Sequence, residues 1–257
     1  MKLAFTEYGE GRPLVILHGL FGSGRNWAGI AKKLAPSWRV LTVDLRNHGA
    51  SPWDAAMTYS EMAQDVLDLI EAEALEQPVL LGHSMGGKAA MVAALTDPDA
   101  IGALIVADIA PVSYDHSNEP YVDAMRSIDL TTVKRRGDAD AALAKVVPEP
   151  GLRGFLLHNL VLEGEGPRWR LNLDVIGASI PSLTGFPDPV AGAAYPGPSL
   201  FVAGEKSDYV RSDHHVVIRD LFPAASIQSI PGAGHWLHAE KPAEFLDLVT
   251  DFLTGLD

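Results

Sequence analysis

The chain has 257 residues, and its 20 Lys+Arg stand against 33 Asp+Glu for a formal charge of −13, which disfavours nucleic acid and acidic membrane surfaces as partners. With 47% hydrophobic and 21% charged residues it reads as a globular chain able to bury one substantial core with an inserted lobe. Cysteine is absent, so disulfides, thiolate catalysis and cysteine metal sites are excluded.

At the start of the chain, residues 1–7 lack the apolar stretch of a secretory signal. No run reaches the ~18 apolar residues of a membrane span, so a cytoplasmic protein without a membrane partner is expected. Short β-rich runs follow at 14–17, 40–43, 79–81, 103–107, 200–203 and 226–230. Most are apolar throughout, as strands covered on both faces are. Helix-length segments separate them. Thr58 and Glu61 form a capping box ahead of Met62, Val66, Leu69 and Ile70 at i, i+4, i+7 and i+8. Pro242 suits the first turn of a final helix whose stripe is Phe245, Leu246, Val249, Phe252 and Leu253. From 114 to 195 no strand-like run appears, while helix-forming segments do, at 138–146 and 152–162. The expected architecture is α/β: a doubly wound, mostly parallel sheet built from residues 1–113 and 196–257, with a helical cap inserted at 114–195.

Gly82-His83-Ser84-Met85-Gly86 lies between the strand at 79–81 and a helix-like run, the context in which a G-x-S-x-G serine projects from a sharp strand-to-helix turn. Acyl transfer needs two backbone N–H groups aimed at the developing oxyanion. One would follow the nucleophile, at Met85, and the other would come from the loop Leu17-His18-Gly19-Leu20-Phe21-Gly22, at Leu20. A general base is supplied by His235, in the glycine-rich loop after the strand at 226–230; His238 should turn away from it, and His214 and His215 fall in an expected surface helix. Two aspartates sit at strand ends and either could orient the imidazole: Asp108, followed by Ile109-Ala110-Pro111, and Asp208, which has the usual Ser, Asp, His chain order.

These segments, with Asp44-Leu45-Arg46-Asn47-His48-Gly49-Ala50-Ser51 and Gly234-His235-Trp236-Leu237-His238-Ala239-Glu240-Lys241-Pro242, resemble the α/β-hydrolase superfamily, and within it small acyl-ester hydrolases of the YbfF type and their mitochondrial abhydrolase relatives. The resemblance spans nearly the whole chain. It implies a Ser-His-Asp carboxylesterase with a helical lid, and it favours Asp108 as the acid. The usual Gly-x-x-Asp spacing is one residue longer from Gly204 to Asp208, which displaces the rival.

The Asp44-to-Ser51 segment reads as structural, with Gly49 at a tight bend and Arg46 tying loops together, and Lys88 reads as a solvated or buried salt-bridge partner. In the cap, Phe155, Leu156, Leu157, Trp169 and Leu171 offer apolar surface, with Arg170 and Asn172 as polar anchors. Phe155 and Trp169 join Phe21 and Trp236, beside the catalytic loops, as the expected substrate-binding residues, and Met85 is expected to line the site.

The expected activity is hydrolysis of small- to medium-chain acyl esters through an acyl-enzyme, with a small-molecule acyl ester as the expected partner. That chemistry requires no metal or organic cofactor, and no zinc-type spacing is present. The glycine-rich loops lack the P-loop lysine, and Trp27 stands where a dinucleotide fingerprint needs its third glycine. A thioesterase or acyltransferase would use the same residues. A catalytically silent ligand receptor on this scaffold would not need them all.

Overall fold

The computed structural model describes residues 1–115, 117–164, 166–189 and 192–256. Its main sheet contains β1 (Ala4–Tyr8), β2 (Arg12–Leu17), β3 (Trp38–Asp44), β4 (Val79–His83) and β5 (Ala103–Ala107). A hairpin of β6 (Leu160–Val161) and β7 (Arg168–Trp169) stands apart, and β8 (Ser199–Gly204) and β9 (Ala225–Ile230) complete the main sheet. The strand order is β1-β3-β2-β4-β5-β8-β9, with only β1 antiparallel to its neighbour.

The six main-sheet strands after β1 coincide with the β-rich runs of the sequence, and β4, β5 and β8 are buried along their whole length. Alternation sends Leu14 and Ile16 to one face and Val15 and Leu17 to the other. On the first face pack α1 (Ala28–Leu34), from the front of the chain, and the last helix. On the second pack α2 (Tyr59–Ala72) and α3 (Met85–Thr96). Strand β1 escapes sequence detection because Ala4-Phe5-Thr6-Glu7-Tyr8 is an edge strand, half exposed and mixed in polarity.

Between β5 and β8 lie α4 (Glu119–Arg126), α5 (Arg136–Leu143), α6 (Pro150–Leu157), the hairpin and α7 (Leu173–Thr184). The expectation of no strand in this stretch is therefore corrected, and both expected helices shift. Helix α5 stops at Leu143, ahead of a proline at 148 that disfavours helical backbone at Val147. Helix α6 begins with Pro150 in its first turn and ends at Leu157, after which Leu160 and Val161 pair with Trp169 and Arg168. After β8 come α8 (His215–Leu221), α9 (Leu237–Glu240) and α10 (Pro242–Thr254); α10 carries Phe245, Val249 and Leu253 into the core beside α1. Among the described residues no helix is long and apolar enough to cross a membrane.

Two buried cations tie segments together, Arg46 within the core and Lys88 between the core and the inserted segment. Arg46 is buried, paired with Asp65 at 2.6 Å, and donates to the carbonyl of Ala56, which agrees with a loop-tying role; Gly49 makes the expected bend at φ +59°. Lys88 is 1% exposed and its Nζ donates to the carbonyls of Val112, Thr184 and Gly185. It is not solvated and has no salt-bridge partner among the described residues, which corrects the sequence reading. The reason is positional: α3 is buried all round, and the open C-terminal carbonyls of α7 lie directly over it. Burial pushes the Lys88 ammonium down to about 7.

Candidate active site

Strands β2 and β4 are neighbours, yet the chain leaves them in opposite directions, β2 toward β3 and β4 toward β5. That makes their carboxyl ends a topological switch point, where loops diverge and leave a crevice. The loop after β2 and the turn after β4 meet there, because Leu17 registers with Gly82.

The turn after β4 is tight. Ser84 has φ 52° and ψ −118°, outside the comfortable range for a side-chain-bearing residue, and α3 begins at the next position. The flanking glycines let the backbones close in: a Cβ on Gly82 would lie 2.3 Å from the Gly86 carbonyl oxygen, and one on Gly86 2.5 Å from that of Leu17. Asp108, at the end of β5, also has φ 52°, and Phe21 has φ 62°. Three strained residues thus stand around one crevice.

The loop between β9 and α9 brings His235 to Ser84. His235 Nε2 is 3.1 Å from Ser84 Oγ, and its Nδ1 is 2.8 Å from Asp108 Oδ2. Asp108 is fully buried and accepts the Gly204 amide at 2.8 Å and the Ser207 hydroxyl. Asp208, the rival acid, is exposed, because the loop after β8 folds back with Ser207 inward and its neighbour outward. The Tyr209 ring stacks on the imidazole at 4.0 Å, and His83 Nε2 donates to the His235 carbonyl at 2.9 Å.

Two buried histidines shape the loop after β2. His18 donates from Nδ1 to the Gly19 carbonyl and accepts the Leu45 amide at Nε2; His48 donates to the Arg46 carbonyl and accepts the Phe21 amide. The partners require neutral rings. Burial enforces this, lowering His18 to about 4 and His48 to about 3, with mutual repulsion adding to the fall at His48. The Phe21 amide is thereby occupied. Those of Leu20 and Met85 have no acceptor among the described residues, and both sit in the turns that flank Ser84.

A cleft of about 290 Å³ opens over Ser84. Leu20, Phe21, Phe155 and Trp236 line it, with the last two rings 6.1 Å apart. Trp169 does not: it lies in β7, half-buried, beside a separate surface cleft, because the hairpin directs it away from the crevice. Leu156, Leu157 and Leu171 are core residues of the inserted segment. Arg170 faces other clefts, and Asn172 caps α7 by accepting the Val175 amide while donating to Asn47. The Met85 side chain is buried below the cleft and does not line it. His238 turns back toward the site, stacking on Trp27 at 4.2 Å and meeting His83 at 4.6 Å, because α9 is a single turn. His214 is buried beside Tyr114, not on a surface helix, whereas His215 is half-buried in α8. Sequence reasoning missed Tyr209, Ser207 and His83, and also Tyr121 and Leu152 in the cleft wall. Adjacency to Ser84 and Asp208 was the available signal for the first three.

Residues 14–248 match the alpha/beta hydrolase family. The chain is 44% identical over 248 residues to the sn-1-specific diacylglycerol lipase ABHD11 of Mus musculus, covering 93% of this chain and 80% of that protein. It is 36% identical over 242 residues to esterase YbfF of Escherichia coli (strain K12), covering 94% and 92%. Among solved structures, a marine microorganism esterase superposes with a TM-score of 0.93 at 40% identity, covering 98% of this chain and 99% of that one. The family and the fold expected from the sequence are both borne out: the chain belongs to the alpha/beta hydrolase family and is an enzyme of its esterase and lipase type.

Proposed function

We propose that this enzyme is a serine carboxylesterase acting on small- to medium-chain acyl esters, with Ser84, His235 and Asp108 as its triad. The observation that carries this reading is the unbroken chain of contacts from Ser84 Oγ through the His235 ring to Asp108 at the floor of an accessible cleft. Ser84 Oγ attacks the ester carbonyl carbon while its proton passes to His235 Nε2. Asp108 holds the opposite nitrogen and stabilises the imidazolium. The negative oxygen of the tetrahedral intermediate is held by the amides of Leu20 and Met85, which are otherwise unspent. Collapse expels the alcohol, which takes the proton from Nε2 and leaves an acyl-Ser84 ester. Water, deprotonated by the same nitrogen, then releases the carboxylic acid and restores the hydroxyl.

A cleft of about 290 Å³ sits at the low end of small-molecule sites, which favours short and medium acyl chains. Residues 114–195 act as the cap, contributing Asn118, Tyr121, Leu152 and Phe155 to the wall opposite Ser84. A cytoplasmic setting belongs to the same proposal.

The test is release of p-nitrophenol from p-nitrophenyl acetate and butyrate by the purified chain, set beside Ser84→Ala. Turnover by the parent and loss of at least a thousandfold in the variant are expected. Equal turnover by both would remove the proposed nucleophile.

A further inference from the structure

A second cleft, of about 800 Å³, lies between the inserted segment and the β1–β3 edge of the sheet. Its lining gathers Arg25, from the 3₁₀ turn Gly24–Trp27, Arg136, the first residue of α5, and Arg170, just after β7. This is a local reversal of charge in a chain of net −13. The two lining carboxylates, Asp44 and Glu163, offset part of it and leave the three guanidinium groups one positive charge in excess. Asp44 is held by the Gly24 and Ala50 amides at 2.7 and 2.8 Å, and Glu163 is exposed. Arg136 is fixed by the Leu157 and Leu160 carbonyls. The guanidinium groups of Arg25 and Arg170 have no hydrogen-bond or ion-pair partner among the described residues, although Arg170 is half-buried. Burial, then repulsion from Arg25, Arg168 and Arg136 that exceeds the attraction of Asp44, holds Arg170 below the usual arginine value. A bound anion would relieve that repulsion.

The two clefts adjoin. Asn26 lines both, and Asn159, in the wall of the arginine cleft, donates to the Phe21 carbonyl in the loop beside Ser84. We propose that the arginine cleft is an anion subsite for a phosphomonoester group, carried by the alcohol part of an ester whose acyl part occupies the Ser84 cleft. The proposal rests on the esterase reading and narrows it to a substrate class, acyl esters of phosphorylated alcohols. Paired guanidinium groups suit a phosphate dianion because each presents planar, forked donors to its oxygens.

The experiment compares 1-butyrylglycerol 3-phosphate with 1-butyrylglycerol on the full chain, the Arg25→Gln/Arg170→Gln double variant, and each single variant. Neither guanidinium holds another side chain by a hydrogen bond or ion pair among the described residues, so the variants retain the fold, which thermal unfolding checks. The parent should favour the phosphorylated ester at least tenfold in kcat/KM, through KM. That preference should vanish in the double variant while the neutral ester is cleaved unchanged. Equal kcat/KM for the two esters in the parent, or equal losses on both esters in the variant, would overturn the proposal. Calorimetric titration of glycerol 3-phosphate separates this from failure of the esterase reading. If neither ester is cleaved, binding that the double variant abolishes still supports the phosphate subsite, and no binding overturns it. Binding of inorganic phosphate without any preference between esters would assign the cleft to a free anion and overturn the substrate role.

Discussion

Ser207 donates its hydroxyl to Asp108 Oδ2, the same carboxylate oxygen that meets His235 Nδ1. The loop bearing Asp208 therefore supports the carboxylate proposed here as the triad acid. Replacing Asp108 by Asn should lower kcat by on the order of 10⁴, because the imidazole then loses its preferred tautomer. Asp208→Asn should leave kcat within about twofold, since its side chain points to solvent, as surface groups clear of the chemistry do. Steady-state kinetics on p-nitrophenyl butyrate check both, and comparable losses in the two variants would contradict the assignment.

Lys88 closes the C-terminal end of α7, with the Tyr59 hydroxyl donating to the Leu183 carbonyl beside it at 2.7 Å. Lys88→Met keeps the bulk and removes the donors. The Val112 and Gly185 carbonyls then lose their donor, while Thr184 keeps the Tyr114 amide; the two losses outweigh the relief of an ammonium no longer desolvated, and a loss of about 2 kcal/mol or more is expected. Urea unfolding measures it; an unchanged midpoint would show that the ammonium does not fasten the inserted segment.

Four buried histidines around the site give stability a defined pH dependence. Burial holds His18 at about 4, His48 and His238 at about 3, and His83 well below its ordinary value, with repulsion from neighbouring histidines contributing at the last three. In the unfolded chain each titrates near 6.5. Below that pH the unfolded state binds more protons, so stability is complete above about 6.5 and falls as the solution is acidified toward 4. Each histidine contributes at most about 1.4 kcal/mol per pH unit over that window. Denaturant midpoints measured from pH 8 to pH 5 should be level down to neutrality and then drop steeply. A flat profile would mean that these rings take up protons in the folded state as readily as in the unfolded one.

The fold was readable where burial leaves a mark on the sequence. Strands covered on both faces are apolar through their centres, and β4, β5 and β8 are, with polar residues only at the ends, His83 and Ser199. Strand β1 and the β6–β7 hairpin leave no such mark, the first because it is an edge and the second because two residues are too few for any period. At the site, Ser84 and His235 are announced by glycine-rich turns at the ends of strands, since close backbone approach constrains residue type locally. The choice between Asp108 and Asp208 was not local. It depends on which way the loop after β8 folds over β5, which only the Gly204 and Ser207 contacts reveal. Trp169 and Tyr209 show the same limit from opposite sides: an aromatic residue expected at the cleft faces elsewhere, while one without a motif stacks on the imidazole.

The central claim is that Ser84 is a nucleophile activated by His235, and covalent capture tests it most directly. The chain is treated with a serine-directed fluorophosphonate, and the adduct is counted by intact mass and located by peptide mapping. One adduct per chain, on Ser84, forming far more slowly in His235→Ala and absent in Ser84→Ala, is the predicted result. Labelling of Ser84→Ala at the parent's rate, or an adduct mapped elsewhere while Ser84 stays free, would contradict the account.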